Sequence, residues 1–352
     1  MSKVAVVIGK FYPLHEGHKG LIEFMLNYPV DFASKAVLVC GKSHDIIPTN
    51  VRHLATKNYV GDRGQVLHME DDSMPDYPED DLFFWEKWTK VIERIFSHLA
   101  PEEIYLFTSE KYGEEFARKI QEIRGVKCRH IPYNLDRTSF DVSGTEIRDD
   151  MVTHSYAVDL NIINYLSKTI YVLGAESTGK TTWSKKMNVR YYSSSVFVPE
   201  YARGYLDLKG VKLNKQKFFE IIDGQFAAEE VAKKTSLLFK IHDTNLLTTY
   251  GWAKLYYPAI AEEMKRRFDF KKMYTERNSL VLLTNDSLPF YPDAQRYGIN
   301  KRETNREYWV GILNEFQIPF KFIEDVPEKV IFDEFDKNKV YCPGGEMVDT
   351  PF

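Results

Sequence analysis

Short unbroken apolar runs recur along the chain, each followed by a turn and then by a stretch in which apolar residues return every three or four positions. Residues 4–8 (VAVVI) form the first run, and 18–29 (HKGLIEFMLNYP) follow with Leu21, Ile22, Phe24, Met25 and Leu26 at helical spacing. A run with no alternating polar residues reads as a strand buried on both faces, the pattern of a parallel sheet. Residues 35–41 (KAVLVCG), 102–109 (EEIYLFTS) and 126–133 (VKCRHIPY) read as further strands, with 114–125 (EEFARKIQEIRG) as a helix between the last two. Alternation of strand and helix predicts a parallel α/β sheet up to about residue 135.

Residues 151–167 read as a helical connector, and at Lys168 the pattern restarts with TIYVLGAESTGK. The strands SVFVPEYA (195–202), LLFKIHDTN (237–245), SLVLLTND (279–286) and FKFIED (320–325) follow, separated by helical stretches. The prediction is an α/β chain of two doubly wound parallel-sheet domains, 1–167 and 168–345, with the aperiodic end VYCPGGEMVDTPF as a surface coil.

Composition narrows the function. With 352 residues, 43% hydrophobic and 28% charged, the chain carries apolar surface enough for two cores, and disorder is not the expectation. The net charge of −4 supplies no general field for a nucleic-acid backbone. Cys40, Cys128 and Cys342 lie far apart with no CxxC pair, which argues for a reducing compartment. No run approaches the roughly 18 apolar residues of a membrane span, and Lys10 interrupts the first run too early for a signal peptide. A soluble, cytoplasmic protein without nucleic-acid or membrane partners is expected.

The clearest chemical signal is Gly174-Ala-Glu-Ser-Thr-Gly179-Lys180-Thr181, a GxxxxGK[ST] turn between a strand and a helix. Glycines let successive N–H groups point at phosphate oxygens, Lys180 reaches the β and γ phosphates, and the Thr181 hydroxyl suits Mg²⁺. Asp243 ends an apolar strand, where it can hold Mg²⁺ or accept a hydroxyl proton, or can serve as a helix N-cap for the run from Leu246. Arg296 and Arg302 flank a glycine and can close over a transferring phosphoryl group, or can be solvated surface residues.

The second signal is GKFYPLHEGH at 9–18, where His15 and His18 open a helix three residues apart. A zinc site would need a third ligand that no nearby HExxH or cysteine supplies. DVSGTEIRDD at 141–150 can be its distant partner: Ser143 and Glu146 form a capping box, while Ser143, Thr145 and Arg148 also suit a phosphate at a helix start. The acidic stretch EDDSMPDYPEDD at 70–81 follows no ligand spacing and reads as a solvated loop.

Together, HxGH and VSGTEIR resemble the nucleotidyltransferase superfamily marked by HxGH and ISxTxxR. The order of transferase then P-loop kinase resembles the NadR-type proteins, on the blocks DRTSFDVSGTEIR, Trp85 and Trp88 in WEKW, EYAR at 200–203, DTNLLTT at 243–249 and PDAQRYG at 292–298. The resemblance implies a Rossmann-like HxGH transferase domain that joins nicotinamide mononucleotide (NMN) to ATP, giving NAD and pyrophosphate. It implies a P-loop kinase domain that makes NMN from nicotinamide riboside and ATP with Mg²⁺.

Residue by residue, the resemblance assigns ATP in the first domain to Gly9, Lys10, Phe11, His15, His18, Ser143, Thr145 and Arg148, with His18 stabilising the α-phosphoryl charge. It assigns NMN to Trp85, Trp88, Asp136 and Arg137, although two tryptophans at helical spacing also read as core. In the kinase it assigns ATP to Gly174, Gly179, Lys180, Thr181, Thr182, Arg296 and Arg302, the riboside to Glu200, Tyr201, Arg203 and Asp243, and Mg²⁺ to Thr181 and Asp243. The family's DTD reads Asp243-Thr244-Asn245 here, one carboxylate fewer. That change leaves open a nucleotide-sensing module, and the two folds can also serve other acceptors. Some members open with a helix-turn-helix repressor domain; this chain starts at the transferase strand, and operator binding is not expected.

Overall fold

A computed structural model describes residues 2–136, 138–140, 142–210, 212–291 and 302–326. The chain divides into two compact units, with the division between Tyr165 and Leu166. Each contains one five-stranded parallel sheet.

In the first unit the elements run β1 (Lys3–Gly9), α1 (Glu16–Leu26), β2 (Ser34–Gly41), α2 (Thr49–Val60), β3 (Gln65–Glu70), α3 (Phe84–Phe96), β4 (Glu103–Thr108), α4 (Gly113–Arg124), β5 (Lys127–Pro132), α5 (Gly144–Asp149), α6 (Met151–His154) and α7 (Leu160–Leu166). The strand order is β3-β2-β1-β4-β5, with Val7 beside Val37 of β2 and Phe107 of β4. β1, β2 and β4 lie inside the sheet and read as apolar runs, whereas edge strands β3 and β5 mix exposed and half-buried residues. Chain direction across the sheet reverses between β1 and β4, the kind of switch point where open α/β sheets take ligands.

The second unit runs β6 (Lys168–Leu173), α8 (Lys180–Arg190), β7 (Ser195–Val198), α9 (Tyr201–Lys209), α10 (Lys215–Lys233), β8 (Phe239–Asp243), α11 (Leu246–Tyr256), α12 (Pro258–Arg267), α13 (Phe270–Tyr274), β9 (Ser279–Leu283), α14 (Arg306–Glu315) and β10 (Lys321–Phe322). Its order is β10-β9-β6-β8-β7, and the β6/β8 register sets Val172 beside Asp243. The carboxylate therefore sits one strand over from the glycine-rich turn that leaves β6. Tyr171, Leu173, Leu246, Tyr250 and Trp309 form part of the core on one side of this sheet.

The doubly wound parallel folds are as the apolar runs predict. Three local features differ. β3 and α2 escape the periodic reading because their sequences are polar, the strand SVFVPEYA stops at Val198 so that EYAR opens α9, and FKFIED contributes only a two-residue strand. Residues 340–352 lie outside the described residues.

Candidate functional sites

In the first unit, β1 delivers a turn whose backbone is shaped by Phe11, buried and at φ +46. His15 then caps α1, its Nδ1 accepting from the Gly17 N–H at 3.1 Å. In the neutral ring that bond places the proton on Nε2, at the helix N-terminus. The His18 ring lies 3.8 Å from the His15 ring and edge-on to Phe11 at 5.0 Å, and its Nδ1 is buried with no hydrogen-bond partner. Burial, then His15 and Arg148, holds the His18 imidazole well below its ordinary range, while a contact with Pro13 opposes them.

The distant motif folds back onto this turn. Ser143 and Glu146 form the capping box: Ser143 Oγ accepts from Glu146 N–H at 3.2 Å and Glu146 Oε2 from Ser143 N–H at 2.7 Å. Arg148 donates to the Tyr12 carbonyl and, at 3.0 Å, to Thr145 Oγ1, and its guanidinium lies 4.9 Å from the Tyr12 ring. Gly144 allows this close approach: a Cβ there would sit 3.0 Å from the Tyr12 carbonyl oxygen, tighter than an ordinary contact. Gly9 faces the Phe11 ring in the same way, at 3.2 Å.

Sequence reasoning missed Arg52, fully buried with its guanidinium 5.0 Å from the Tyr12 ring. Arg52 donates to the carbonyls of Lys10, Cys40 (2.9 Å) and Ile47 (2.8 Å) and pairs with Asp45, so one guanidinium ties the β1 turn to the end of β2. The polar segment NVRHLA carries no local signal that marks it as buried.

The acidic loop is engaged by hydrogen bonds. Asp76 pairs with Lys10 at 2.7 Å and Lys42 at 3.4 Å, and Asp72 accepts from Ser43. The Lys10 pair is well exposed, so it is worth at most about 1 kcal/mol and yields readily to a competing anion. Trp85 and Trp88 are half-buried against the core, Trp88 donating to the Pro75 carbonyl at 3.1 Å. Asp136 is exposed and accepts from Thr138; Arg137 lies outside the described residues. Among the described residues no group of three or more His, Cys, Asp or Glu side chains gathers to hold a metal.

In the second unit the turn after β6 has Gly174 at φ +145, Ser177 at +58 and Gly179 at +85. A Cβ on Gly174 would lie 1.9 Å from Thr284 Oγ1, so only glycine fits. Thr178 Oγ1 spans the turn, bonding the Ala175 carbonyl at 2.8 Å and Thr284 Oγ1 at 2.6 Å. Lys180 Nζ donates to the carbonyls of Gly174 and Ala175 at 2.9 and 2.6 Å, which holds it against the turn.

A cleft of about 870 Å³ opens here, lined by Gly174, Lys180, Thr181, Thr182, Glu200 and Arg203 among others. Glu200 pairs with Arg203 at 3.5 Å. Tyr201 is outside the lining and packs on Gly224 of α10, where a Cβ would meet its ring at 2.0 Å. Asp243 is 2% exposed with Oδ1 lacking a partner; burial raises its carboxyl pKa, opposed by Thr181 and by the charges of Lys180 and Arg203. An acceptor-only atom left unpaired beside a threonine hydroxyl suits a divalent cation such as Mg²⁺.

The cap of α11 is Asn245, whose Oδ1 accepts from Thr248 N–H at 3.0 Å, so Asp243 is not the N-cap. An aspartate would make the same bond, and the helix end is intact with asparagine. Arg302 donates to the carbonyls of Glu176 (2.8 Å), Asp286 (2.6 Å), Ser177 and Leu288, so its guanidinium props the turn from outside. Arg296 lies outside the described residues. Gln225 and Trp252 also line the cleft, and neither carries a motif that sequence reasoning could use.

The second unit's fold and turn are those of a P-loop protein, and a family model described as an AAA domain matches residues 169–329. Over 96% of its length the chain is 24% identical to the trifunctional NAD biosynthesis/regulator protein NadR of Escherichia coli (strain K12), spanning 81% of that protein. It is 24% identical to the protein of that name from Salmonella typhimurium (strain LT2), covering 92% of this chain and 79% of the relative. Two solved NadR structures, one in complex with NR and one with NAD and AMP-PNP, share the fold at TM-score 0.55 and 21% identity. They cover 93% of this chain and 90% and 92% of their own. These are the likenesses of a NadR-type protein, running through both units.

Proposed function

We propose that the chain is an enzyme of NAD biosynthesis whose second unit phosphorylates nicotinamide riboside to NMN and whose first unit joins NMN to ATP. The observation that carries this reading is a pair of phosphate-type turns, each at the end of its sheet's central strand and each met by side chains from elsewhere in its own unit. The similarity to NadR proteins over nearly the whole length supports it.

In the kinase step the riboside 5′-hydroxyl oxygen attacks the γ-phosphorus of ATP, the bond to the β,γ-bridging oxygen breaks, and ADP leaves. Asp243 accepts the hydroxyl proton, a task suited to a carboxylate whose affinity for protons is raised by burial. Lys180 and the N–H groups of the turn draw the developing charge. Thr181 would hold Mg²⁺, and Asp243 would join it only in the alternative where it is not the proton acceptor; when bound, the ion neutralises phosphate charge. Glu200 and Arg203 meet the ribose, and Trp252 offers an aromatic face to the cationic ring.

In the adenylyl step an NMN phosphate oxygen attacks the α-phosphorus of ATP and pyrophosphate leaves, with no covalent enzyme intermediate. His15, Ser143, Thr145 and Arg148 hold the phosphates and His18 the α-phosphoryl oxygens, so catalysis is positioning and electrostatics. Assaying the steps separately tests the assignment. Lys180→Ala is expected to lose NMN formation and keep NAD formation from NMN, and His18→Ala the reverse; loss of both steps in either folded variant overturns it.

A further inference from the structure

The second unit contains a fully buried carboxylate that the reaction above does not use. Glu229, on α10, accepts at Oε1 from the Leu246 N–H (2.6 Å) and from Gln225 Nε2 (3.2 Å), and at Oε2 from the Tyr274 hydroxyl (3.0 Å). Leu246 begins α11, directly after Asp243-Thr244-Asn245. Gln225 in turn accepts at Oε1 from the Tyr201 N–H (3.1 Å), and Tyr201 begins α9 between Glu200 and Arg203. One side chain is thus bonded to the first amide of α11 and, through a single glutamine, to the first amide of α9.

We propose that Glu229 is a positioning residue for phosphoryl transfer, fixing the turn that carries Asp243 relative to the turn that carries Glu200 and Arg203. The inference rests on the kinase reading of this unit. Both turns lie on one cleft, and neither has a side-chain cap that would hold it to the other: Asn245 caps only its own helix, and Glu200 makes no cap bond. Acceptor geometry at Oε1 is what the strut requires, and an amide oxygen offers the same geometry. Burial lifts the Glu229 pKa to about 7, so a neutral side chain is well tolerated here near neutrality and glutamine is a fair replacement.

The test uses the full chain carrying Glu229→Gln, Glu229→Asp or Glu229→Ala. The readouts are kcat and KM for NMN formation, NAD formation from NMN as an internal control, and amide hydrogen exchange. Glu229→Ala is expected to lower kcat at least about tenfold and speed exchange at both Leu246 and Tyr201, with the adenylyl step unchanged. Glu229→Gln is expected to recover kcat to within about threefold, and Glu229→Asp, which keeps the charge but shortens the reach, to do worse than Gln. If the alanine variant does not fold, the order of Gln above Asp still decides. An unchanged kcat in Ala, faster exchange at Leu246 alone, or Asp outperforming Gln overturns the inference while the kinase reading stands. A wild-type chain that forms no NMN overturns both.

Discussion

Arg148 donates to the carbonyl of Tyr12, a residue 136 positions earlier, and lies 4.9 Å from its ring. The fully buried Arg52 also faces that ring, at 5.0 Å. Two guanidiniums therefore fix the turn between β1 and His15. A lysine cannot reproduce this, because one ammonium does not serve a carbonyl, a threonine hydroxyl and a ring face together. Arg148→Lys is expected to slow NAD formation from NMN by about a hundredfold. NMN formation by the second unit is expected to stay unchanged, and steady-state kinetics of the two steps checks both.

Gly174 combines a φ of +145 with a Cβ position 1.9 Å from Thr284 Oγ1. Gly174→Ala is expected to destabilise the turn by roughly 2 kcal/mol or more and to abolish the thermal shift caused by ATP in Lys180-dependent binding. Adding Thr284→Ala removes the clash but leaves the backbone strain, so it is expected to restore melting only in part. Melting curves with and without nucleotide check the order.

His242 lies in β8 with both ring nitrogens buried and unpartnered, 4.6 Å from the Tyr171 ring. Burial, then Lys233 and Lys240, holds its pKa at about 3. An unfolded histidine takes its proton near pH 6.5, so below that the unfolded chain binds more protons and stability falls by about 1.4 kcal/mol per unit. Glu229, raised to about 7, slopes the other way, so the variant must be compared with wild type at each pH. His242→Phe is expected to gain on wild type by about 2 kcal/mol between pH 7 and pH 5, read from melting temperatures. A difference independent of pH would contradict the assignment.

Trp252 lines the cleft and is stacked on Tyr256, with centroids 5.9 Å apart and planes at 10°. A rigid aromatic face of this kind attracts a flat cation. Trp252→Ala is expected to raise the KM for nicotinamide riboside about tenfold with a smaller effect on that for ATP, and Trp252→Phe to recover most of it.

Much of the architecture is legible in the chain because parallel strands are buried on both faces and leave unbroken apolar runs. The residues from 4 to 8 and from 169 to 173 announce the centres of both sheets. The glycine turns are legible for a different reason: positive φ and close approach, as at Gly174, restrict the residue type itself. Arg52, Gln225, Glu229 and Trp252 are not legible. Each draws its importance from partners distant in sequence, and an arginine or glutamate on a helix has the same local appearance whether it faces water or a buried amide. Asn245 is the mixed case: a cap before Leu246 is legible, but the sequence points to Asp243 for it, and the fold sets it at Asn245.

The central claim is that one chain carries both steps, and it is tested most directly by supplying the purified protein with nicotinamide riboside and MgATP and no NMN. Following NMN, NAD, ADP and pyrophosphate together by mass-resolved chromatography, we expect NMN to appear first and NAD after it. ADP should account for the first product and pyrophosphate for the second. NMN that accumulates without NAD, or a riboside that is never consumed, would contradict the account.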